Sequence, residues 1–272
     1  MTDTPVKPVD SASIMIIRDG AECHPEYGTL EILMVKRHQN IKFAGGAYVF
    51  PGGKVDPADR QAEEADPESH QDDLPQMFRG MRYAALREVF EETGLLIGER
   101  NGRLVDEAVR AELDRKYRRK FLENRLDVRT FLAETGLKLS VRDCRPFAHW
   151  ITPEQYPKRF DTRFFLCMAP EGQVASPDGR EAVEVRWVRP LELIEESRGT
   201  LMFPTMMNLK KLGRARTVAE ALHQLTDNRI VTVKPEIVKG AQGVFRKIRE
   251  DAGYDEVDQK NTHPGMAHKP VK

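Results

Sequence analysis

Nine residues, Arg87 to Leu95 (REVFEETGL), constrain this chain more than any other stretch. Glu88, Glu91 and Glu92 stand at i, i+3 and i+4, so at about 100° per residue a helix projects all three from one face. Leu86, Val89 and Phe90 point the other way, with Tyr83 at their edge, and need a core to cover them. Gly94 occupies the position where helices commonly end, so the pattern predicts a helix over 76–93. Its acids then lie at the C-terminal end, where the helix dipole disfavours negative charge. Hard divalent ions such as Mg²⁺ or Mn²⁺ neutralise such a cluster with the oxygen ligands they prefer. Glutamate also forms helices well on a solvated face, and spacing alone leaves that simpler reading open.

Composition bounds the rest. The chain has 272 residues, 40% apolar and 32% charged, which suits one enlarged globular domain and neither a disordered nor a membrane-spanning chain. Lys plus Arg equals Asp plus Glu at 43 each. No global field draws the chain to nucleic acid or an anionic membrane, and any phosphate recognition must be local. The apolar run Ile14 to Ile17 is too short for a membrane helix or a signal-peptide core, which gives a cytoplasmic reading. Cys23, Cys144 and Cys167 are widely spaced with no C-x-x-C pair, against a disulfide framework or a Cys-rich zinc site.

Along the chain, residues 1–12 read as a flexible leader, 13–255 as the domain and 256–272 as a mobile polar tail. Ser13 to Arg18 and Leu30 to Arg37 read as strands, and Ala44 to Gly53 (AGGAYVFPGG) as a strand delivered into a tight loop. Pro57 to Asp73 carries seven acids and one base with no apolar period, and residues 57–75 read as a solvated loop insertion. Val105, Val109, Leu113, Tyr117 and Phe121 advance by fours, and Val128 and Leu132 continue the pattern, which predicts a helical insertion over 103–135. Its basic stretch, Arg115 to Lys120, reads as an exposed helix face. Strand patterns return at Phe147 to Ile151, Arg163 to Met168 and Val183 to Val188. Helical ones follow at Leu191 to Glu196, Thr205 to Leu212 and Val218 to Leu225, with a short strand at Ile230 to Val233. Interleaving of this kind indicates an α/β layer fold, a mixed sheet between helical layers.

The central motif resembles the second half of the Nudix hydrolase signature, R-E-U-x-E-E-x-G-U with U aliphatic, at Arg87, Glu88, Val89, Glu91, Glu92, Gly94 and Leu95. Pro51-Gly52-Gly53 resembles its opening. The family pattern continues from the glycine with x5-E-x7-R. Here Asp59 stands for the Glu, and 27 residues separate it from Arg87, so twenty residues are inserted before the helix. The peroxisomal coenzyme A diphosphatase type of Nudix protein is similar in having a long insertion there, and in the motifs matched by Phe50 to Asp56, Trp150 to Pro153 and Arg159 to Phe165.

This resemblance implies a Nudix fold and metal-dependent hydrolysis of a diphosphate linkage in a small nucleoside-diphosphate derivative. It implies catalytic roles for Arg87, Glu88 and Glu91. Mg²⁺ or Mn²⁺ would be held by Glu88, Glu91 and Glu92 with a Gly52 or Gly53 carbonyl. Glu181 or Glu184 is the candidate additional acid. Leu33 to Gly53 matches the coenzyme A-type element at seven of its eleven specified positions and implies substrate contacts at Arg37, Lys42 and Phe50. Coenzyme A or an acyl derivative leads as substrate, with ADP-ribose or a reduced dinucleotide next. A non-catalytic nucleotide sensor on the same scaffold is the alternative from another class, and the intact glutamates argue against it. His149 reads as a packed or hydrogen-bonded histidine, and Met202, Met206 and Met207 as helix core. No nucleic-acid or membrane partner is expected, and the oligomeric state is left open, a homodimer included.

Overall fold

The computed structural model describes residues 5–41, 44–71, 73–197, 200–226, 229–240, 243–254 and 258–260. Its main sheet is built on β1 (Val9–His24), which pairs antiparallel with β2 (Gly28–Arg37) and parallel with β9 (Phe160–Met168). β10 (Ala182–Val188) lies outside β2, and β8 (Arg145–Ile151) lies outside β9. The short β11 (Thr232–Val233) pairs parallel with β8 and ends the order β10-β2-β1-β9-β8-β11. Two small strands, β3 (Tyr48–Val49) and β4 (Gly52–Lys54), pair with β2 and β1.

Both faces of this mixed sheet are covered, which explains why its central strands read as continuous apolar runs. Ile14 and Ile16 of β1 enter one core with Leu33, Phe165 and Cys167. Met15 and Ile17 enter the other with Ile32, Met34, Phe164 and Leu166. The first core is closed by α1 (Pro57–Ala65), α2 (Arg82–Thr93) and the helical insertion. The second is closed by α6 (Pro190–Ser197), α7 (Phe203–Leu212) and α8 (Val218–His223). The expected strand at Ser13 begins earlier, at Val9, because the last residues of the supposed leader pair with Phe160 to Thr162. The expected tail lies outside the described residues except for 258–260, whose backbone pairs with a strand at Gly243–Lys247.

The helical insertion contains α3 (Glu107–Leu113), a π-helical turn (Asp114–Arg118), α4 (Arg119–Leu122) and α5 (Val128–Thr135). A strict α-helix would turn by about 1200° between Val109 and Phe121, about 120° past three full turns, and would carry the four-residue stripe off the core. The wider π turn absorbs part of that excess. Leu113, Tyr117 and Phe121 stay buried against Phe90 and Phe131. Small strands β5 (Gly98–Arg100), β6 (Arg103–Leu104) and β7 (Leu137–Leu139), absent from the sequence reading, close the base of this segment.

One expectation is corrected. The segment 57–75 is not a solvated loop: α1 and a 3₁₀ turn (Pro67–His70) occupy most of it. Three of its acids do not face water, although Glu64 and Asp73 do. Asp59, Glu63 and Asp66 are buried because α2 supplies their partners. Glu63 accepts hydrogen bonds from the Arg82 Nε (3.0 Å) and backbone N–H (2.7 Å), and Asp66 accepts one from the Tyr83 hydroxyl (3.2 Å). The carboxylate of Glu63 thus meets the first N–H groups of α2, where the helix dipole favours negative charge. The helix itself starts at Arg82 rather than at residue 76, after a separate 3₁₀ turn (Gln76–Phe78).

Breaking a buried ion pair by neutralising one partner costs about 3–5 kcal/mol. Glu63→Gln should therefore lower unfolding free energy by that order in urea titrations. Glu64→Gln, at an exposed position on the same helix, should change it by under about 0.5 kcal/mol. Equal effects would restore the loop reading of this segment.

Candidate active site

Helix α2 ends at Gly94, whose φ of 73° is a left-handed conformation that a side chain would strain. Its last two turns present Arg87, Glu88, Glu91 and Glu92 along a cleft of about 1650 Å³. Arg87 is the organising group. Its Nε and Nη2 donate to the two oxygens of Asp59 at 2.9 Å each, a bidentate pair, and Nη2 also donates to the Lys54 carbonyl. Its Nη1 donates to Glu88 and to Glu91, both at 2.8 Å. Asp59, whose role the interrupted motif left open, is fully buried and clamps this arginine from α1.

The electrostatics follow from the crowding. Burial, opposed by Arg87 and reinforced by Glu91, raises the Glu88 carboxyl to about 8. Burial also raises Glu91, against the pull of Arg87. Glu92 is raised well above its ordinary value by burial and then by Glu88, although Arg37 and the Gly52 N–H oppose the shift. Arg87 loses water, which favours its neutral form, yet Glu88, Asp59 and Glu91 outweigh that and raise its pKa. Four acids, Asp59, Glu88, Glu91 and Glu92, here face the two guanidinium groups of Arg87 and Arg37, so this wall of the cleft holds more acids than cations, with Glu88 and Glu91 partly exposed to it.

That donor set fits a hard divalent cation, being all oxygen and under-neutralised. The backbone comes close as well: a Cβ at Gly53 would lie 2.3 Å from Glu88 Oε1, so a side chain there would push this carboxylate aside. Among the described residues no three His, Cys, Asp or Glu side chains already converge as an ion cage. Arg87 draws Glu88 and Glu91 to itself, and Glu92 accepts from the Gly52 N–H at 3.1 Å.

The structure brings most of the sequence-selected residues to this one cleft. Gly52, Gly53, Phe50 and Arg37 line it beside α2, and Glu181 reaches it from the β9–β10 loop. Arg37 pairs weakly with Glu181 at 3.4 Å, and its Nε is a buried donor without an acceptor among the described residues. Phe50 packs edge-on against Phe164. Glu184 is not brought in: it accepts from the Tyr48 hydroxyl at 2.9 Å and pairs with Lys36 along the sheet. Lys42 lies outside the described residues. His149 is buried and hydrogen-bonded to Asp161 and Thr232, in keeping with the packed reading. Cys144 and Cys167, far apart in sequence, interact with each other as free buried thiols.

Sequence reasoning missed the far wall of the cleft, where Trp150, Phe160, Phe203 and Arg246 line it. Trp150 Nε1 donates to the Tyr254 hydroxyl (2.9 Å), which donates to Asn208 (2.6 Å), so the C-terminal segment braces this wall. The regular strand pattern around Trp150 is visible, but its acceptor Tyr254 lies 104 residues away.

Residues 64–210 match the family model described as the NUDT19 Nudix domain, more than half of the chain. The chain belongs to this Nudix family. It is a Nudix pyrophosphohydrolase, and Nudix hydrolases generally use divalent metals. Its relatives include the acyl-coenzyme A diphosphatase NUDT19 of Xenopus laevis, 24% identical, with 83% of this chain and 72% of that protein covered. The Homo sapiens acyl-coenzyme A diphosphatase NUDT19 is 29% identical, over 60% of this chain and 54% of that one. Among solved structures, a NUDIX hydrolase from Alicyclobacillus acidocaldarius superposes with a TM-score of 0.64 at 25% identity, covering 82% of this chain and 99% of that one. The Nudix fold expected from the sequence is thus the observed one. Among the described residues no helix is long and apolar enough to cross a membrane.

Asp59 gives the site a direct check. Asp59→Asn removes the charge that clamps Arg87 and should lower turnover by about tenfold or more. Asp56→Asn should stay within about twofold, because Asp56 is 63% exposed and 3.9 Å from Arg87. Steady-state assays of both variants that showed equal activity would remove Asp59 from the site.

Proposed function

We propose that this chain hydrolyses the diphosphate linkage of a nucleoside-diphosphate derivative with Mg²⁺ or Mn²⁺, and that coenzyme A or an acyl-coenzyme A is the substrate. The observation that carries the reaction is the surplus of buried carboxylate on α2 around a single organising arginine. Glu88, Glu91 and Glu92 would hold the ion, and Gly52 or Gly53 would add a backbone carbonyl. Bound there, it supplies positive charge to the diphosphate oxygens and lowers the pKa of an attacking water. Arg87 keeps Glu88 and Glu91 oriented in the cleft. Glu181, a cleft acid outside α2, would take part in proton transfer, whereas Glu184 is occupied elsewhere. Phe50 offers an apolar contact to the substrate beside the two glycines.

Coenzyme A is favoured by Arg37 as well as by the relatives' names. A buried guanidinium Nε at the cleft wall, lacking an acceptor among the described residues, is suited to an anionic group such as the 3′-phosphate of coenzyme A. The cleft is also far larger than a diphosphate needs, with its second half aromatic. Lys42, the other basic position of the element, would add a point charge.

Two expected outcomes test this reading. Glu88→Gln and Glu92→Gln should each reduce turnover by about a thousandfold or more in Mg²⁺, since a lost ligand removes several kcal/mol of transition-state stabilisation. Near-normal product release in both would overturn the metal site. Arg37→Gln should reduce kcat/KM on coenzyme A by about tenfold to a hundredfold while hardly changing that on the 3′-dephospho compound. Equal losses on the two compounds would assign Arg37 to the shared diphosphate and withdraw its support for coenzyme A.

A further inference from the structure

The C-terminal end of α2 is held from the helical insertion. Arg118 lies on the π turn and is nine-tenths buried. Its Nε donates to the backbone carbonyl of Glu91 at 2.8 Å. The other edge of the same guanidinium grips the β9–β10 loop: Nη2 donates to the Ser176 carbonyl at 2.7 Å and Nη1 to the Ser176 hydroxyl at 3.0 Å. Ser176 in turn donates its N–H to the carbonyl of Thr93, the last residue of α2. Two residues further, Asp178 accepts backbone hydrogen bonds from Glu181 (2.8 Å) and Ala182 (3.0 Å) and fixes the turn that carries Glu181 into the cleft. One planar group therefore joins the helix that bears the three glutamates to the loop that bears Glu181.

A plain helix cap would not need this geometry. A cation near the last carbonyls is favourable whatever its shape, and a lysine would serve. The bridge needs a fork, because three acceptors on two separate segments are met by one rigid plane. The π turn sets Arg118 in place: the wider turn re-aims the side chains that follow it relative to an unbroken α-helix.

We propose that Arg118 is a positioning residue for the hydrolysis, fixing the β9–β10 loop and its Glu181 relative to the carboxylates of α2. The kinetic part of this proposal rests on the diphosphate-hydrolase reading, whereas its structural part does not.

The test compares Arg118→Lys, which keeps the charge and loses the fork, with Leu113→Ala. Leu113 is buried in the same insertion and has only packing to lose. Hydrogen exchange is followed over residues 172–182, together with melting temperature, and kcat and KM are measured on coenzyme A with Mg²⁺. In Arg118→Lys, loop exchange should accelerate by about tenfold or more. Its kcat per folded molecule should fall by about tenfold to a hundredfold, with KM within about threefold. Leu113→Ala should show a lower melting temperature with loop exchange and kcat within about twofold of the parent. Unchanged loop exchange in Arg118→Lys overturns the proposal, and so does faster exchange with kcat no lower than in Leu113→Ala, which would leave Arg118 a structural tether. If Arg118→Lys does not fold, Ser176→Ala removes one acceptor alone and should accelerate the same amides and lower kcat by about threefold each; no change in either overturns the proposal. Should the parent protein hydrolyse no diphosphate, the hydrolase reading fails, and the exchange comparison still decides whether Arg118 fixes the loop.

Discussion

The site depends on one guanidinium. Arg87 is shared by Asp59, Glu88, Glu91 and the Lys54 carbonyl, so it ties α2 to β4 and α1, whose contacting residues lie 33 and 28 positions earlier in the chain. Without it, three carboxylates on the last turns of a buried helix would repel one another in a low-dielectric setting and protonate or swing away. With it, Glu88 and Glu91 are held on the cleft side of α2, while Glu92 is held separately by a backbone N–H. Four acids still meet only two guanidinium groups, and that excess of oxygen donors is the basis of the proposed cation site.

The two inserted segments serve this helix from opposite ends. At its start, α1 brings an anion, Glu63, to unsatisfied N–H groups. At its end, the helical insertion brings two cations: Arg118 reaches the Glu91 carbonyl and Arg110 the Gly94 carbonyl. Each charge has the sign that the helix dipole favours at that end. The cations also answer the difficulty posed by the sequence, acids placed where the dipole disfavours them. Helix α2 is consequently buried on nearly all sides, and the face opposite the sheet, which a plain amphipathic reading leaves to solvent, is covered by the insertions.

Much of this was legible because it is local. The glutamate spacing, the terminating Gly94 and the apolar strand runs are set by residues within a few positions of one another, and the structure keeps them. The insertion at 57–75 was misread for the opposite reason. Its seven acids suggest solvation, but Asp59, Glu63 and Asp66 are satisfied by Arg87, Arg82 and Tyr83, and no local pattern reveals those pairings. The same holds for the cleft's far wall, where Trp150 depends on Tyr254, and for the separation of Glu181 from Glu184. Those two acids are three residues apart, and a bulge in the β10–β2 pairing between Ala182 and Glu184 separates the loop acid from the sheet acid.

The central claim is that the carboxylate surplus on α2 is a divalent-cation site. Anomalous diffraction from crystals of the intact protein grown with Mn²⁺ tests it most directly. The account requires a peak at ordinary coordination distance, about 2.0–2.3 Å, from carboxylate oxygens of Glu92 and at least one of Glu88 and Glu91. A well-ordered cleft with Arg87 still bound to both Glu88 and Glu91, and Mn²⁺ absent from α2 at saturating concentration, would contradict it.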